Sequence, residues 1–477
     1  MIGQVLLVAV LALPAAGALV TALLPERTAR ITATVFAALT LVVAVSSWSS
    51  SDVSWLWVPR LGINFHLGVD GISYPLVVLT ALLTVLCCAY TVWKVPEGGS
   101  GRTLSALILV LEVGILGTFL ALDLVLFFVF FEVVLLPMYA VIAGWGGPNR
   151  RAAARKFVLY TLAGSVLLLL GVFTVVAAAG TSDMSMLAYG AGLSRTTQCV
   201  AFTLFALAFA VKAPLWPLHT WLPAAHTEAP TVGSVLLAGV MLKMGTYGLI
   251  RIGIGVTPEG ADWASWVLGA FAVAAIVAGS LICLRQTELK RLIAYSSVGH
   301  MGFVLLGIAT QTTAGVQAAL IGNVAHGIIT GLLFFLAGAV KDRAHTGNLA
   351  DLGGLRETAP RLAGLVGFAC IASLGLPGLA GFWGEAFAVV AALHRGWTTF
   401  AVIAAIGGAL TALYFMRLLR KLTHGPATSA LTGISAITRT EWLAWSPLIV
   451  LTLAVGLVPA LVLTPALDSL ASIGALR

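Results

Sequence analysis

Apolar residues along this chain come in unbroken blocks of about twenty, the length that crosses a bilayer as a helix. Blocks near 2–24, 28–48, 72–93, 103–121, 124–143, 157–178, 199–217, 231–250, 263–284, 292–310, 314–340, 362–392, 399–416 and 442–466 predict about fourteen transmembrane helices. The polar stretches between them are too short to hold a soluble domain. The expected fold is an all-α polytopic membrane protein.

Two blocks carry helix breakers. One is Lys212-Ala213-Pro214-Leu215-Trp216-Pro217, followed by Pro223 and Pro230; the other is Gly375-Leu376-Pro377-Gly378-Leu379-Ala380-Gly381. Proline removes a backbone donor, and in hydrocarbon the freed groups need protein or cavity water. Breaks at matching places in two halves point to an inverted repeat with its site at mid-membrane. The breaks fall in spans 7 and 12, which fits two five-helix units, spans 4–8 and 9–13. Two unrelated proline kinks remain the plain alternative. The expected layout is one membrane domain, 1–477. It has flanking helices in 1–95, a first repeat at 104–252, a second at 263–421, and a flanking helix at 442–466.

Composition sharpens this. Only 9% of residues are charged, against about 25% in a soluble domain, and mean hydropathy is +1.04. The net charge of +8 matters less than where it sits. Nineteen of the 26 Lys and Arg fall in the loops after odd-numbered spans. Five, Arg60, Arg195, Arg251, Arg395 and Arg477, lie elsewhere, and Lys212 and Lys243 lie inside spans. By the positive-inside rule the odd loops are cytoplasmic and both termini outside. No basic residue precedes the first block, so it reads as a mature helix rather than a signal peptide. None of the five cysteines forms a Cys-x-x-Cys pair, which excludes the iron–sulfur and zinc spacings. They read as small apolar packing residues.

The chemistry lies in charges that should not be in a membrane. A charge at the bilayer centre costs about 2.5–3.5 kcal/mol, so such residues tend to be functional. Glu112, Glu132, Lys212, Lys243 and Glu385 fall inside spans, with His300 and His326. Asp123 stands at a span junction, as a helix-end residue. Burial draws lysine and carboxylate toward neutrality, and histidine titrates near neutrality unaided. The set suits a proton path; salt bridges that fix helix packing use the same residues. His219 and His226 follow the first break and either feed that path or decorate a loop. Lys290-Arg291 and Arg150-Arg151 read as topology determinants. No Gly-x-x-x-x-Gly-Lys-Ser/Thr loop offers nucleotide-driven transport, and no Gly-x-Gly-x-x-Gly turn offers a dinucleotide site.

The motifs themselves carry a resemblance. Phe130-Phe131-Glu132-Val133-Val134-Leu135-Leu136-Pro137-Met138-Tyr139 resembles the span-5 motif of the subunit M branch of respiratory complex I, the bacterial relatives of mitochondrial NADH dehydrogenase subunit 4. Val211-Lys212-Ala213-Pro214 through Pro217-Leu218-His219-Thr220-Trp221-Leu222-Pro223 to Pro230 is similar to the signature of all antiporter-like subunits. Leu289-Lys290-Arg291 through Ser297-Val298-Gly299-His300-Met301-Gly302 and Ala325-His326-Gly327 extend the likeness, which covers at least 104–421.

The resemblance implies roles. Glu132 pairs with Lys212, Lys243 connects, His300 and His326 link, and Glu385 faces the exit. Quinone reduction elsewhere would break the Glu132–Lys212 pair and push a proton through Lys243 toward Glu385. It implies a proton-translocating, non-redox subunit of an NADH–quinone oxidoreductase, inactive alone, in the bacterial inner (plasma) membrane. No cofactor or metal is expected in this chain; flavin, iron–sulfur clusters and quinone belong to partner subunits. Expected partners are other membrane subunits, including the antiporter-like subunits L and N, and no nucleic acid. The rivals are a subunit of a multi-component sodium/proton antiporter, one of a membrane-bound hydrogenase, and a passive scaffold.

Overall fold

The computed structural model describes residues 2–59 and 62–472. Arg60 and Arg477 lie outside the described residues. The apolar blocks fold as helices. The first are α1 (Ile2–Leu23), α2 (Glu26–Ser46), α3 (Tyr74–Trp93), α4 (Gly101–Leu120), α5 (Leu124–Val133), α6 (Leu135–Trp145) and α7 (Arg150–Ala179). Next come α8 (Arg195–Lys212), α9 (Trp221–Glu228), α10 (Thr231–Leu236), α11 (Lys243–Gly248), α12 (Pro258–Leu284), α13 (Leu289–Thr310) and α14 (Thr313–Ala344). The last are α15 (Leu355–Thr358), α16 (Pro360–Ser373), α17 (Ala380–His394), α18 (Thr398–Thr423), α19 (Arg439–Leu457) and α20 (Ala460–Ser472). Among the described residues twelve passages are long and apolar enough to cross a membrane, counting α5 with α6 (Leu124–Trp145) and α10 through the turn after α11 (Thr231–Ile254) as one each, with α16 and α17 as shorter apolar helices.

The breaks fall where the sequence puts them. Pro214 and Pro217 end α8 after Lys212, and α9 resumes at Trp221. The Val211 carbonyl at this break accepts Trp221 Nε1–H at 2.9 Å, so a freed acceptor is satisfied by protein. The predicted block 362–392 is two helices, α16 and α17, separated by residues 374–379. Gly375 there has φ +81, a left-handed conformation that glycine adopts at no steric cost. Pro137 interrupts the fifth block, so α5 ends just after Glu132.

The sequence reading did not foresee two features. The first is a hairpin between α2 and α3, in a chain read as all-α. Strands β1 (Val53–Val58) and β2 (Ile63–Leu67) pair antiparallel. The ribbon continues through neighbouring loops: Leu122 N–H donates to His66 O (2.9 Å), and Met184 N–H to Leu122 O (2.8 Å). It lies at the end of the bundle opposite the basic loops. The second feature is two π-helical turns, Leu237–Met241 and Leu249–Ile254, either side of α11.

α14 is the central post, with α13, α16, α17 and α19 packed around it. It is buried along nearly its whole length. By contrast α1, α2 and α7 leave Leu19, Val35, Val42, Leu159 and Phe173 exposed, as a face toward lipid or a neighbouring subunit does.

Candidate functional site

The interruptions decide where the charges sit. Lys212 is the last residue of α8, and Lys243 is the first of α11, just after a π turn. A π turn shifts the i→i−4 ladder by one residue. The Ala238 carbonyl, within that turn, accepts from Lys243 Nζ. The same ammonium lies 2.6 Å from His326 Nδ1 on α14. An ammonium has no acceptor, so Nδ1 accepts and the His326 ring proton sits on Nε2. Glycine permits this approach: a Cβ at Gly327 would lie 2.6 Å from the Gly239 carbonyl oxygen.

The second link lies across one ring gap. His300 and His326 have ring centroids 5.7 Å apart. His300 Nδ1 is 2.8 Å from Glu385 Oε1, and His300 Nε2 is 3.2 Å from Ser373 Oγ. With Glu385 ionised, Nδ1–H donates to the carboxylate and Ser373 donates to Nε2. His300, His326, Ser373 and Glu385 share a cavity of about 30 Å³, enough to admit a water molecule. Lys243 and His326, buried, and His300 and Glu385, part-buried, thus form one run between the second break and the middle of the bundle.

The first break is arranged differently. Among the described residues no ion pair joins Glu132 to Lys212. The two act on each other electrostatically across a gap longer than a salt bridge. Glu132 accepts from Ser165 Oγ. The Lys212 ammonium sits 4.5 Å from the centroid of the Phe131 ring, a cation–π contact beside the Glu132 charge. Lys212 itself is 4% exposed.

Other candidates stand outside the run. Glu112 is fully buried on α4, and neither carboxylate oxygen has a hydrogen-bond partner. Asp123 is dry rather than wet; it caps α5, accepting from Val125 N–H (2.9 Å) and Leu126 N–H (3.1 Å). His219 and His226 are buried too, His226 stacked on Phe334 with centroids 4.4 Å apart. Lys290 corrects the topology reading. It is 4% exposed and donates to the Ala229 carbonyl at 3.0 Å, where α9 hands over to α10. Ser165, Ser373 and Phe131 were missed, since nothing in their spacing marks them.

The fold and site define a class: multi-pass membrane proteins with ionisable side chains gathered at two interrupted helices. A family model described as "NADH:quinone oxidoreductase/Mrp antiporter, TM" matches residues 121–411. The chain belongs to that family. It is 40% identical over 424 residues to NADH-quinone oxidoreductase subunit M of Rhodobacter capsulatus, covering 86% of this chain and 81% of that one. It is 37% identical over 479 residues to an NAD(P)H-quinone oxidoreductase chain 4 of Trichormus variabilis, covering 96% and 89%. Its fold superposes on a chain of respiratory complex I from Thermus thermophilus with TM-score 0.89 and 30% identity, over 98% of this chain and 99% of that one. A chain of the Mrp complex from Dietzia matches in fold, with TM-score 0.86 and 24% identity over 100% and 97%.

Proposed function

We propose that this chain is a proton-translocating membrane subunit of an NADH–quinone oxidoreductase, without redox chemistry of its own. One observation carries the reading: the run Lys243–His326, His300–Glu385. Burying Lys243 and His326, and His300 and Glu385 in part, is costly, and a scaffold would gain as much from apolar packing. Each group in the run can bind and release a proton, and neighbours lie within hydrogen-bond reach or one water apart. Relatives named as quinone oxidoreductase subunits support the redox partner.

Lys212 would load from the first half, held beside Glu132 and Phe131. A field change near Glu132 would release its proton inward. Lys243 would pass a proton to His326 Nδ1, whose Nε2 faces the shared cavity. His300 and Glu385 would take it to the second break. Flavin, iron–sulfur clusters and quinone would reside in partner subunits, with the siblings L and N as membrane neighbours. The basic loops would face the cytoplasm and both termini the outer side of the plasma membrane. The 104–252 and 263–421 units would be the two inverted repeats, and the two interrupted passages would complete fourteen spans.

The likeness in fold to the Mrp chain favours one alternative, a cation/proton antiporter subunit. Inverted vesicles carrying Lys212→Ala separate the two. NADH-driven acidification and inhibitor-sensitive NADH oxidation are followed together, with assembly checked. Both are expected to fall while assembly survives. Unchanged NADH activities with lost sodium/proton exchange would replace this reading by the antiporter.

A further inference from the structure

A second cavity lies away from the proton run. It is a bay of about 1060 Å³ at the basic end of the bundle, where the ends of α3, α6, α9 and α14 and the starts of α7 and α13 converge. Its walls hold Lys94, Arg150, Arg151, Arg155, Lys290 and Lys341, against Glu97, Glu228 and Asp342. Two of the three acids are already committed. Asp342 is ion-paired to Lys94, and Glu228 accepts the Asn149 N–H at 2.9 Å. Arg150 donates to the Gly146 carbonyl and Lys290 to the Ala229 carbonyl. Neither acceptor carries a full negative charge. Arg151, Arg155 and Lys341 make no ion pair or hydrogen bond among the described residues, and the nearby Glu288 acts on the Lys341 and Lys290 ammonium groups only through space. The bay therefore gathers more positive charge than its own acids can balance, around a buried lysine on its inner wall.

A charge-setting role for topology explains basic loops but not a shared concavity. Topology needs Lys and Arg near span ends and nothing more. Here several helix ends converge on one volume, and Lys290 is buried to line it. Tyr90 and Trp145 also border the bay, the residue types that sit at headgroup depth. We propose that the bay binds the phosphate of an anionic phospholipid, with Arg151, Arg155 and Lys341 as its direct cations. Clusters of basic residues at the end of membrane helices recognise such headgroups, each contributing about a factor of five in affinity. The bound phosphate sits over α9, the loop helix that follows Lys212, and next to Lys290. Headgroup occupancy thus ties the membrane surface to the first break.

The test uses the purified membrane assembly containing this chain. It is stripped of lipid in a zwitterionic detergent and titrated with phosphatidylglycerol, phosphatidylcholine or inorganic phosphate. Bound lipid is counted by native mass spectrometry for the wild type and for a triple variant, Arg151→Gln, Arg155→Gln and Lys341→Gln. These side chains lie at the rim and hold no fold contact, so assembly is expected to survive. The expected result is one phosphatidylglycerol retained by the wild type and on the order of a hundredfold weaker retention by the variant. Phosphatidylcholine should show no difference. Equal phosphatidylglycerol retention in both overturns the proposal. So does displacement of the lipid by millimolar inorganic phosphate, which would make the ligand a soluble anion. A cross-link from Lys341 to an acidic segment of another subunit in the lipid-replete assembly also overturns it, since the bay would then be a protein interface.

Discussion

Asp123 and Glu288 do one job at opposite ends of the molecule. Asp123 caps α5 and pairs in a β-bridge with Asp183, in the loop before the first broken helix. Glu288 caps α13 and pairs in a β-bridge with Asn348, in the loop before the second. One lies at the hairpin end and the other at the basic end. A carboxylate cap at the same station of each five-helix unit, facing opposite ways, supports the inverted-repeat reading better than the two breaks alone. Yet the halves are wired differently. At the second break the acid, Glu385, is hydrogen-bonded to His300 and through the cavity faces His326. At the first, Glu132 is hydrogen-bonded to Ser165 and Lys212 lies over the Phe131 ring, with no ion pair between the two among the described residues. The second half holds a connected path; the first holds a pair that must move or admit water to exchange a proton.

The junction between the halves is Lys243, and its loss gives the largest expected effect. Lys243→Met keeps the volume and removes the ammonium that contacts His326. Proton transfer should fall by about a hundredfold or more, as for loss of an acid–base group, with assembly intact. Retained NADH-driven acidification at the wild-type rate would show that the halves communicate by another route. Lys243→Arg should keep the charge but recover only part of the rate, because a guanidinium is a poor proton donor.

A smaller effect isolates the second half. Gly327→Val places a branched side chain where even a Cβ would lie 2.6 Å from the Gly239 carbonyl oxygen. Overpacking should cost about 1–3 kcal/mol of stability and part the Lys243–His326 contact. The midpoint of thermal unfolding of the assembly should drop, and proton transfer with it. The first half, with its own glycine contact at Gly245 against Phe209 and Ala213, should keep its structure. If the midpoint is unchanged, α14 and the π-turn helix are not as closely packed as described.

How much of this was legible in sequence depended on what the membrane enforces. Span positions were legible because hydrocarbon leaves the chain no other option. The breaks were legible because proline and glycine have fixed consequences. The hairpin was missed, although Ile63-Asn64-Phe65-His66-Leu67 alternates apolar and polar as a strand does. The apolar Trp55-Leu56-Trp57 run and the search for twenty-residue blocks hid it. Lys290 was missed because counting basic loop residues ignores which helix face each one takes. It starts α13 beside Arg291, about 100° away around the axis, so one faces in and the other out. The separate contacts of Glu132 with Ser165 and of Lys212 with Phe131 were not legible at all, since neither partner carries a signal of its own.

The smallest effect concerns the hairpin end, where the Asp123 cap has an ally that Glu288 lacks. His66 Nδ1 lies 2.9 Å from Asp183 Oδ2, and Nε2 lies 3.9 Å from Asp52. Its hydrogen bond to Asp183 and that to Asp52 raise the His66 pKa to about 9. Asp123, tied to Ser182, completes the cluster. A raised imidazole stabilises the folded form fully below its unfolded value near 6.5, and the gain is lost as pH climbs through about 9. Hydrogen exchange of the Leu122 and Met184 amides, which donate into this ribbon, reads the loss directly. Protection, corrected for intrinsic rates, should fall about tenfold between pH 7 and pH 10, less than the full shift implies because solvent screens a surface cluster. His66→Gln should show the lower protection already at pH 7 and no further drop. Amides beside the Glu288 cap, such as Leu349 donating to Thr287, are not tied to the His66 cluster and should show no parallel fall over the same range. A parallel fall at both ends would mean that alkaline pH loosens the bundle as a whole, and that the two caps differ only in sequence.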